Sequence, residues 1–362
     1  MSELEAGVLH VDMKIDDKNV SEGALALLQT VKPSWKSEDV KIKVFTDGIT
    51  NKLVGLYLPE NPSDTVLVRI YGQNTELFID RKKELQNMVL LHSAGCAPEV
   101  YCSFNNGLCY AFVPGIVGNR DLVRDEKVRK LIAKEMSRIH SIQNAGSIND
   151  KKIKISPEAM VFKKIRSWLE LVPDHLDNTE QDERYQREIK KRHELEAELS
   201  ELQGPLEALN SPVVFCHNDI LCANLVYDAS QDKVVFIDYE YADYNYQAFD
   251  IGDHFCEFAG VDDVDYSLYP DKDLQLKWLR TYLECEKELK NLPASDVTDK
   301  DVEILYVQVN KFALLAHFFW GVWAILQARF SNIEFDFVQY AAQRFGEYFN
   351  RKHEFLALKL PQ

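Results

Sequence analysis

The sequence predicts an α+β fold with a small β-rich N-terminal lobe, residues 1–113, and a larger, mostly helical C-terminal lobe, residues 114–362. Three observations carry this reading. Short β-patterned runs crowd between Val40 and Val113, whereas longer helix-periodic stretches fill most of the chain after Asp121. Strands first and helices later is the order of an α+β protein, not of an alternating βαβ one. Pro114-Gly115 then breaks the last early strand and marks the lobe boundary.

With 362 residues the chain can build two cores. Its net charge of −16 argues against nucleic acid and against an anionic membrane surface as partners, since both need clustered Lys and Arg. An acidic protein can still take a nucleotide through a few local cations, backbone N–H groups and a metal. The N-terminal MSELEAGVLHVDMKIDD is acidic and lacks a long apolar core, so no secretory signal is expected. Seven cysteines, an odd number with no C-x2-C pair, fit reduced thiols in a cytoplasmic protein better than a disulfide frame or a zinc site.

Taken in order, residues 1–20 read as weakly structured, with one short apolar alternation from Val8 to Ile15. A short amphipathic helix from Ser21 follows and ends at Pro33. Lys41–Phe45 and Lys52–Leu58 form a hairpin joined by Thr46-Asp47-Gly48-Ile49-Thr50-Asn51. Asp-Gly is a common surface turn. The same loop, with Gly48, Thr50 and Asn51, is also a candidate phosphate loop in which backbone N–H groups approach phosphate oxygens. Thr65–Tyr71 is a strand with one cation, Arg69, suited either to a sheet rim or to bidentate phosphate binding. A helix from Asp80 to Ser93 places Glu84 where it can pair with Arg69. A second hairpin turns at Asn105-Asn106-Gly107, and its last strand runs through Ala111 and Val113 to the lobe boundary.

Helices are expected over 121–142 and 159–171, and a long, charge-dense, solvated one over 180–202. Later helices begin near Asp273, Asp301 and Glu334. Phe312–Leu326 is the most apolar stretch; it is short for a membrane span, carries His317, and reads as a buried helix. The C-terminal lobe is organised around 213–257. There FCHNDILCANLVY sets out His217, Asp219 and Asn224 as H-x-D-x4-N, and Asp238 follows the next strand in VVFIDYEY.

Phosphoryl transfer to an alcohol needs a carboxylate to take the hydroxyl proton, oxygen ligands for Mg²⁺, and donors for phosphate oxygens. Asp219 is the candidate base, Asn224 and Asp238 the candidate Mg²⁺ ligands, and His217 a brace for the loop. The competing reading is a metal hydrolase that gathers His217 and Asp219 with Asp250, Asp253, His254 and Glu257 of FDIGDHFCEF. A simpler reading makes FDIGDHFCEF a helix, with Asp250 positioning the loop and Glu257 facing an acceptor. A catalytically silent binding module is a third reading, opposed by the intact Asp219, Asn224 and Asp238.

From about residue 40 to the C-terminus the chain resembles the choline/ethanolamine kinase family. The resemblance rests on VVFCHNDILCANLVY, VVFIDYEYADYNYQAFDIGDHFCEFAG, FTDGITNKLVGLYL, VLVRIYG, GCAPEVYCSFNNGLCYAFVPG and FFWGVWAILQARFSNIEFDFVQYAAQRFGEYF. FTDGITNKL and EFAGVDDVDYSLYP are nearest the ethanolamine kinases, with choline kinase the alternative. The resemblance implies a protein-kinase-like bilobal fold, ATP and Mg²⁺ as cofactors, and phosphorylation of an amino alcohol on the route to phosphatidylethanolamine. From the net charge and the short apolar stretch, no nucleic-acid partner and no membrane insertion are expected; a homodimer is left open. Carried over, Arg69 and Glu84 serve the phosphates, Ala111 to Val113 form the hinge, and Tyr241, Glu257, Trp320, Trp323 and Tyr340 line the site of the cationic head. Phe337 stands where choline kinases tend to carry Tyr. An ammonium leaving water needs carboxylate or aromatic faces in compensation, and these residues supply both.

Overall fold

The computed structural model describes residues 3–5, 7–16, 18–45, 51–72, 75–142, 158–331 and 333–362. The chain divides into two compact units, Met1–Ile116 and Val117–Gln362.

Among its described residues the first unit has a seven-stranded sheet and two α-helices. Its strands are β1 (Glu3–Glu5), β2 (Val8–Val11), β3 (Lys41–Phe45), β4 (Lys52–Leu58), β5 (Asn61–Ile70), β6 (Val100–Phe104) and β7 (Gly107–Ala111), in the order β1-β2-β6-β7-β5-β4-β3. Neighbours are antiparallel except β2 and β6, which run parallel with Leu9 opposite Cys102. Within 1–20, which the sequence reads as weakly structured, Val8–Val11 is a strand. The short alternation at Val8 is a real strand, stabilised by a partner 93 residues away through ladder bonds and a 2.9 Å contact between His10 Nδ1 and Ser103 Oγ. Helix α1 (Val20–Val31) buries Ala24, Leu27 and Leu28 in the core that contains Val54, Leu56, Val66 and Val68. Helix α2 (Arg81–Ser93) starts where the Asp80 carboxylate accepts from Lys83 N–H, and it buries Glu84, Leu85, Met88 and Leu91. At the β6–β7 turn a Cβ on Gly107 would lie 2.1 Å from the Arg69 carbonyl oxygen, so only glycine lets these strands approach.

After β8 (Ile116–Val117) the second unit is built mainly from helices: α3 (Glu126–His140), α4 (Val161–Leu169), α5 (Thr179–Glu188), α6 (Arg192–Glu207), α7 (Gln247–Cys256), α8 (Lys272–Leu289), α9 (Asp299–Phe330) and α10 (Phe337–Ala357). The charge-dense 180–202 stretch is two helices, not one. Ile189 is extended (φ −110°, ψ 135°) and buried, which breaks the run. Nor is α6 only solvated: Leu195, Leu199, Leu202 and Leu206 recur every three to four residues and are buried, an apolar stripe hidden among charges.

Two short antiparallel pairs carry the polar loop. In one, β9 (Val213–Cys216) meets β12 (Asp243–Tyr246); in the other, β10 (Leu225–Asp228) meets β11 (Lys233–Phe236). Helix α9 is long and apolar enough to cross a membrane, but 94% of its most apolar window is buried within the fold, where it packs against α7 and α10. The α7–α9 approach depends on Gly252, where a Cβ would come within 2.8 Å of the Val309 carbonyl oxygen and 2.9 Å of Ala313 N.

Candidate active site

Strand β9 ends at Cys216, and the chain turns through His217-Asn218-Asp219-Ile220 before it reaches β10. This loop hangs on one face of α7 by residues spaced three, four and seven apart. Asp250 accepts from His217 N–H at 3.0 Å and from Asn218 N–H at 2.6 Å. Asp253 accepts from Ile220 N–H at 3.3 Å, and His254 Nδ1 meets the Ile220 carbonyl at 3.1 Å. The Cys222 thiol lies 3.5 Å from the Glu257 carbonyl. Helix α7 is thus a rack for the loop. The rack has its own brace: Gln247 Nε2 donates to Tyr282 OH, which contacts His140 Nδ1 at 2.8 Å, while His140 Nε2 contacts Asp250 at 2.9 Å.

Burial alone would raise the Asp250 carboxyl. The His140 hydrogen bond, the nearby imidazoles and the His217 backbone N–H hold it below the ordinary carboxylate value instead. Asn218 adopts a left-handed φ of 67°, and its side chain is fixed by Tyr241 C=O at 3.0 Å and Asn245 Nδ2 at 2.8 Å. His217 bridges outward: Nε2 donates to Ile237 C=O at 2.9 Å and Nδ1 accepts from Asp219 N–H at 3.3 Å. Its burial pushes the imidazole pKa down, so it sits there neutral.

Asp219 is part-buried. Burial raises its carboxyl well above the usual range, and the negative fields of Asp253, Asp238, Glu257 and Glu240 add to the effect. Asn224 Nδ2 donates to Asp219 C=O at 2.9 Å and to Asp219 Oδ2 at 3.1 Å, which leaves Asn224 Oδ1 without a hydrogen bond among the described residues. Ile237 N–H donates to Asn224 C=O at 2.9 Å, so Asp238 lies beside Asn224; its φ of 64° is left-handed, an unusual state for a non-glycine residue.

The aromatic residues singled out in the sequence come together. The Trp320 ring lies edge-on to Tyr241 and to Trp323, each at 5.3 Å, and Trp323 also meets Phe337 at 5.8 Å and Tyr340 at 6.5 Å. Trp323 Nε1 donates to Tyr241 OH and Trp320 Nε1 to Asp253 Oδ1, both at 2.8 Å. Glu257 is buried beside this wall, and the structure gives it a partner that sequence reading missed: Arg344 Nη1 donates to its Oε1 at 2.7 Å. Arg344 also stands 3.9 Å from Asp253 and 5.5 Å over the Tyr340 ring. The metal-hydrolase grouping does not form. Among the described residues Asp250, Asp253, His254 and Glu257 do not bring their ligand atoms to a common point.

In the first unit Arg69 pairs with Glu84, whose side chain is fully buried; Arg81, unforeseen from sequence, shares the same carboxylate at 2.9 Å and stacks 3.9 Å over Tyr71. Gly48 and Thr50 lie outside the described residues. Asn51 Oδ1 accepts from Gly72 N–H at 3.3 Å. In the expected hinge, Ala111 N–H donates to Glu99 C=O at 2.9 Å and Phe112 N–H to Thr65 C=O at 3.0 Å. Val113 N–H has no such partner among the described residues.

A sheet unit, a helical unit and an Asp-bearing loop racked on a helix define a kinase-like phosphotransferase. The solved ethanolamine kinase of Plasmodium vivax has this fold, with a TM-score of 0.77 at 23% identity, covering 92% of this chain and 89% of that one. The choline/ethanolamine kinase family model matches residues 42–349, and the chain belongs to that family. It is 47% identical over 348 residues to human ethanolamine kinase 1, covering 96% of this chain and 75% of the relative, and 46% identical over 357 residues to human ethanolamine kinase 2, covering 99% and 88%.

Proposed function

We infer that the chain is an ATP-dependent ethanolamine kinase, transferring the γ-phosphoryl group of ATP to the hydroxyl of ethanolamine. The observation that carries this reading is an aromatic wall with buried carboxylates, tied through α7 to the loop that bears Asp219. Tyr241, Trp320, Trp323 and Tyr340 offer ring faces to an ammonium, and beside them stands the Glu257 carboxylate, which Arg344 already engages through Oε1. A primary ammonium donates three hydrogen bonds and a quaternary one none, so carboxylates beside the rings favour ethanolamine over choline.

In the reaction the acceptor oxygen attacks the γ-phosphorus, Asp219 takes the hydroxyl proton, and the bond to the β-phosphate oxygen breaks to release ADP. The raised basicity of Asp219 suits it to that task. Asn224 Oδ1 and the Asp238 carboxylate are hard oxygen donors on neighbouring stretches of backbone and would hold Mg²⁺, which when bound would neutralise charge on the phosphates. His217 holds Asp219 and the 237–238 turn together through its two ring nitrogens. In the first unit, Arg69, oriented by Glu84, serves the phosphates, as does the loop of Gly48, Thr50 and Asn51; Val113 N–H serves the adenine edge. That unit is the nucleotide-binding lobe and the second the catalytic and acceptor lobe. Cytoplasmic action is in keeping with seven free thiols.

ADP release with ethanolamine, choline and serine tests this directly: ethanolamine is expected to give the highest kcat/KM, and no turnover of either ethanolamine or choline would refute it. Asp219→Asn is expected to lower kcat by roughly 10² to 10⁴, and an unchanged rate removes Asp219 from the role of base.

A further inference from the structure

The Asp253 carboxylate is fully buried, has Arg344 3.9 Å from Oδ1, and bridges two elements by hydrogen bonds. Oδ2 accepts from Ile220 N–H, one residue past Asp219, and Oδ1 accepts from the Trp320 indole at 2.8 Å. Both ends of this bridge are held. The Ile220 peptide is clamped on its other side by His254, and the Trp320 ring is boxed in by Phe319 at 5.2 Å, Tyr241 and Trp323. The preceding residue, Gly252, lets α7 lie directly against the α9 backbone.

We propose that Asp253 is a positioning residue that acts as a ruler, fixing the separation between the Asp219 loop and the Trp320 wall and thereby selecting amino alcohols with two carbons between hydroxyl and nitrogen. The inference rests on reading Trp320 as part of the acceptor site. A two-carbon acceptor spans one distance from hydroxyl to ammonium. One further methylene must be folded or must push the wall away, and a wall bonded to the loop by a shared carboxylate resists that. Cutting the bridge at either end frees the wall and lets the longer acceptor place its hydroxyl at Asp219.

The test measures kcat/KM for ethanolamine and for 3-amino-1-propanol on the full chain, on Asp253→Ala, on Trp320→Phe and on the double variant. Trp320→Phe keeps a ring in place and removes the indole N–H. The preference for the two-carbon acceptor is expected to fall by about threefold to tenfold in each single variant, part of the worth of a hydrogen bond to a charged group. Because both changes cut one bridge, the double variant should lose no more than the larger single effect. Unchanged preference in both single variants, even with lowered thermal stability, overturns the ruler, as do effects that multiply in the double variant. If Asp253→Ala does not fold, Trp320→Phe decides alone, and an unchanged preference there overturns the proposal. Absence of ethanolamine turnover in the unmodified chain instead overturns the acceptor-site reading on which the ruler stands.

Discussion

Asp250→Asn is the sharpest probe of α7 as the rack for the catalytic loop. Asp250 is fully buried and meets His217 N–H at 3.0 Å, Asn218 N–H at 2.6 Å and His140 Nε2 at 2.9 Å. Asparagine has the same shape but one acceptor oxygen. If its carbonyl replaces Oδ2, its NH₂ faces Asn218 N–H, and that donor is left buried and unpaired at a cost of about 1–3 kcal/mol. The two surviving bonds fall from charge-assisted to neutral strength, roughly half as strong each. The sum is a loss of about 2–4 kcal/mol, which should lower Tm by roughly 5–10 °C for a unit of this size. The displaced N–H groups lie within two residues of Asp219, so kcat should fall by about tenfold to a hundredfold while KM for ethanolamine moves little. Because the Asp250 carboxyl is held below its ordinary value, the stabilisation is fully present above about pH 4 and is lost as pH falls further. Differential scanning calorimetry and steady-state kinetics across pH 5–8 are the assays. A variant with unchanged Tm and a kcat within about twofold of the parent would show that the loop keeps its place without the rack.

Two further perturbations act on the same helix. His254 is fully buried, and burial pushes its imidazole down to about 4. The unfolded chain takes up a proton near pH 6.5 that the folded chain refuses until about pH 4, so this residue should cost about 3 kcal/mol of stability as pH drops through that window. His254→Asn, which can keep a donor toward Ile220 C=O and does not titrate, should flatten the decline of Tm between pH 6.5 and 4.5; an equally steep decline refutes the assignment. Gly252→Ala places a methyl group 2.8 Å from the Val309 carbonyl oxygen, which the α9 backbone cannot easily yield. A loss of about 1–3 kcal/mol in urea denaturation, together with lower kcat, is expected, and wild-type values for both would refute tight α7–α9 contact as the device that sets the loop.

What could be read in the sequence was local chemistry at fixed spacing. H-x-D-x4-N placed His217, Asp219 and Asn224 on one loop because five residues of chain cannot take them far apart. Trp320 and Trp323 shared a face because three residues on a helix return to the same side. Asp250 was legible as the positioning residue because it stands near the start of an apolar helix. Contacts made across the fold left no such trace. Arg344 meets Glu257 across 87 residues, and an Arg in a charged, aromatic helix looks the same whether it faces water or a buried carboxylate. Asp253 was visible only as an acid among acids, since its partner Trp320 lies 67 residues away. Strand β2 showed only as a short apolar alternation, because the partner that pairs it lies 93 residues away, and the break at Ile189 was hidden by a charge pattern that continues through both helices.

The acidic crowding around α7 has a consequence for when the base becomes available. Burial raises Asp219 and Asp253 well above their usual range, and repulsion from neighbouring carboxylates raises them further. Arg344 counters part of this at Asp253. A positive charge brought near these groups favours the ionised carboxylates and so increases the fraction of Asp219 able to accept a proton. An ammonium on the aromatic wall does this without touching Asp219, because Coulomb interactions in a partly dry site reach past the first contact. Under the proposed function, the acidic groups whose fields raise Asp219 would also attract the acceptor's ammonium, so that acceptor binding and the readiness of the base would depend on each other.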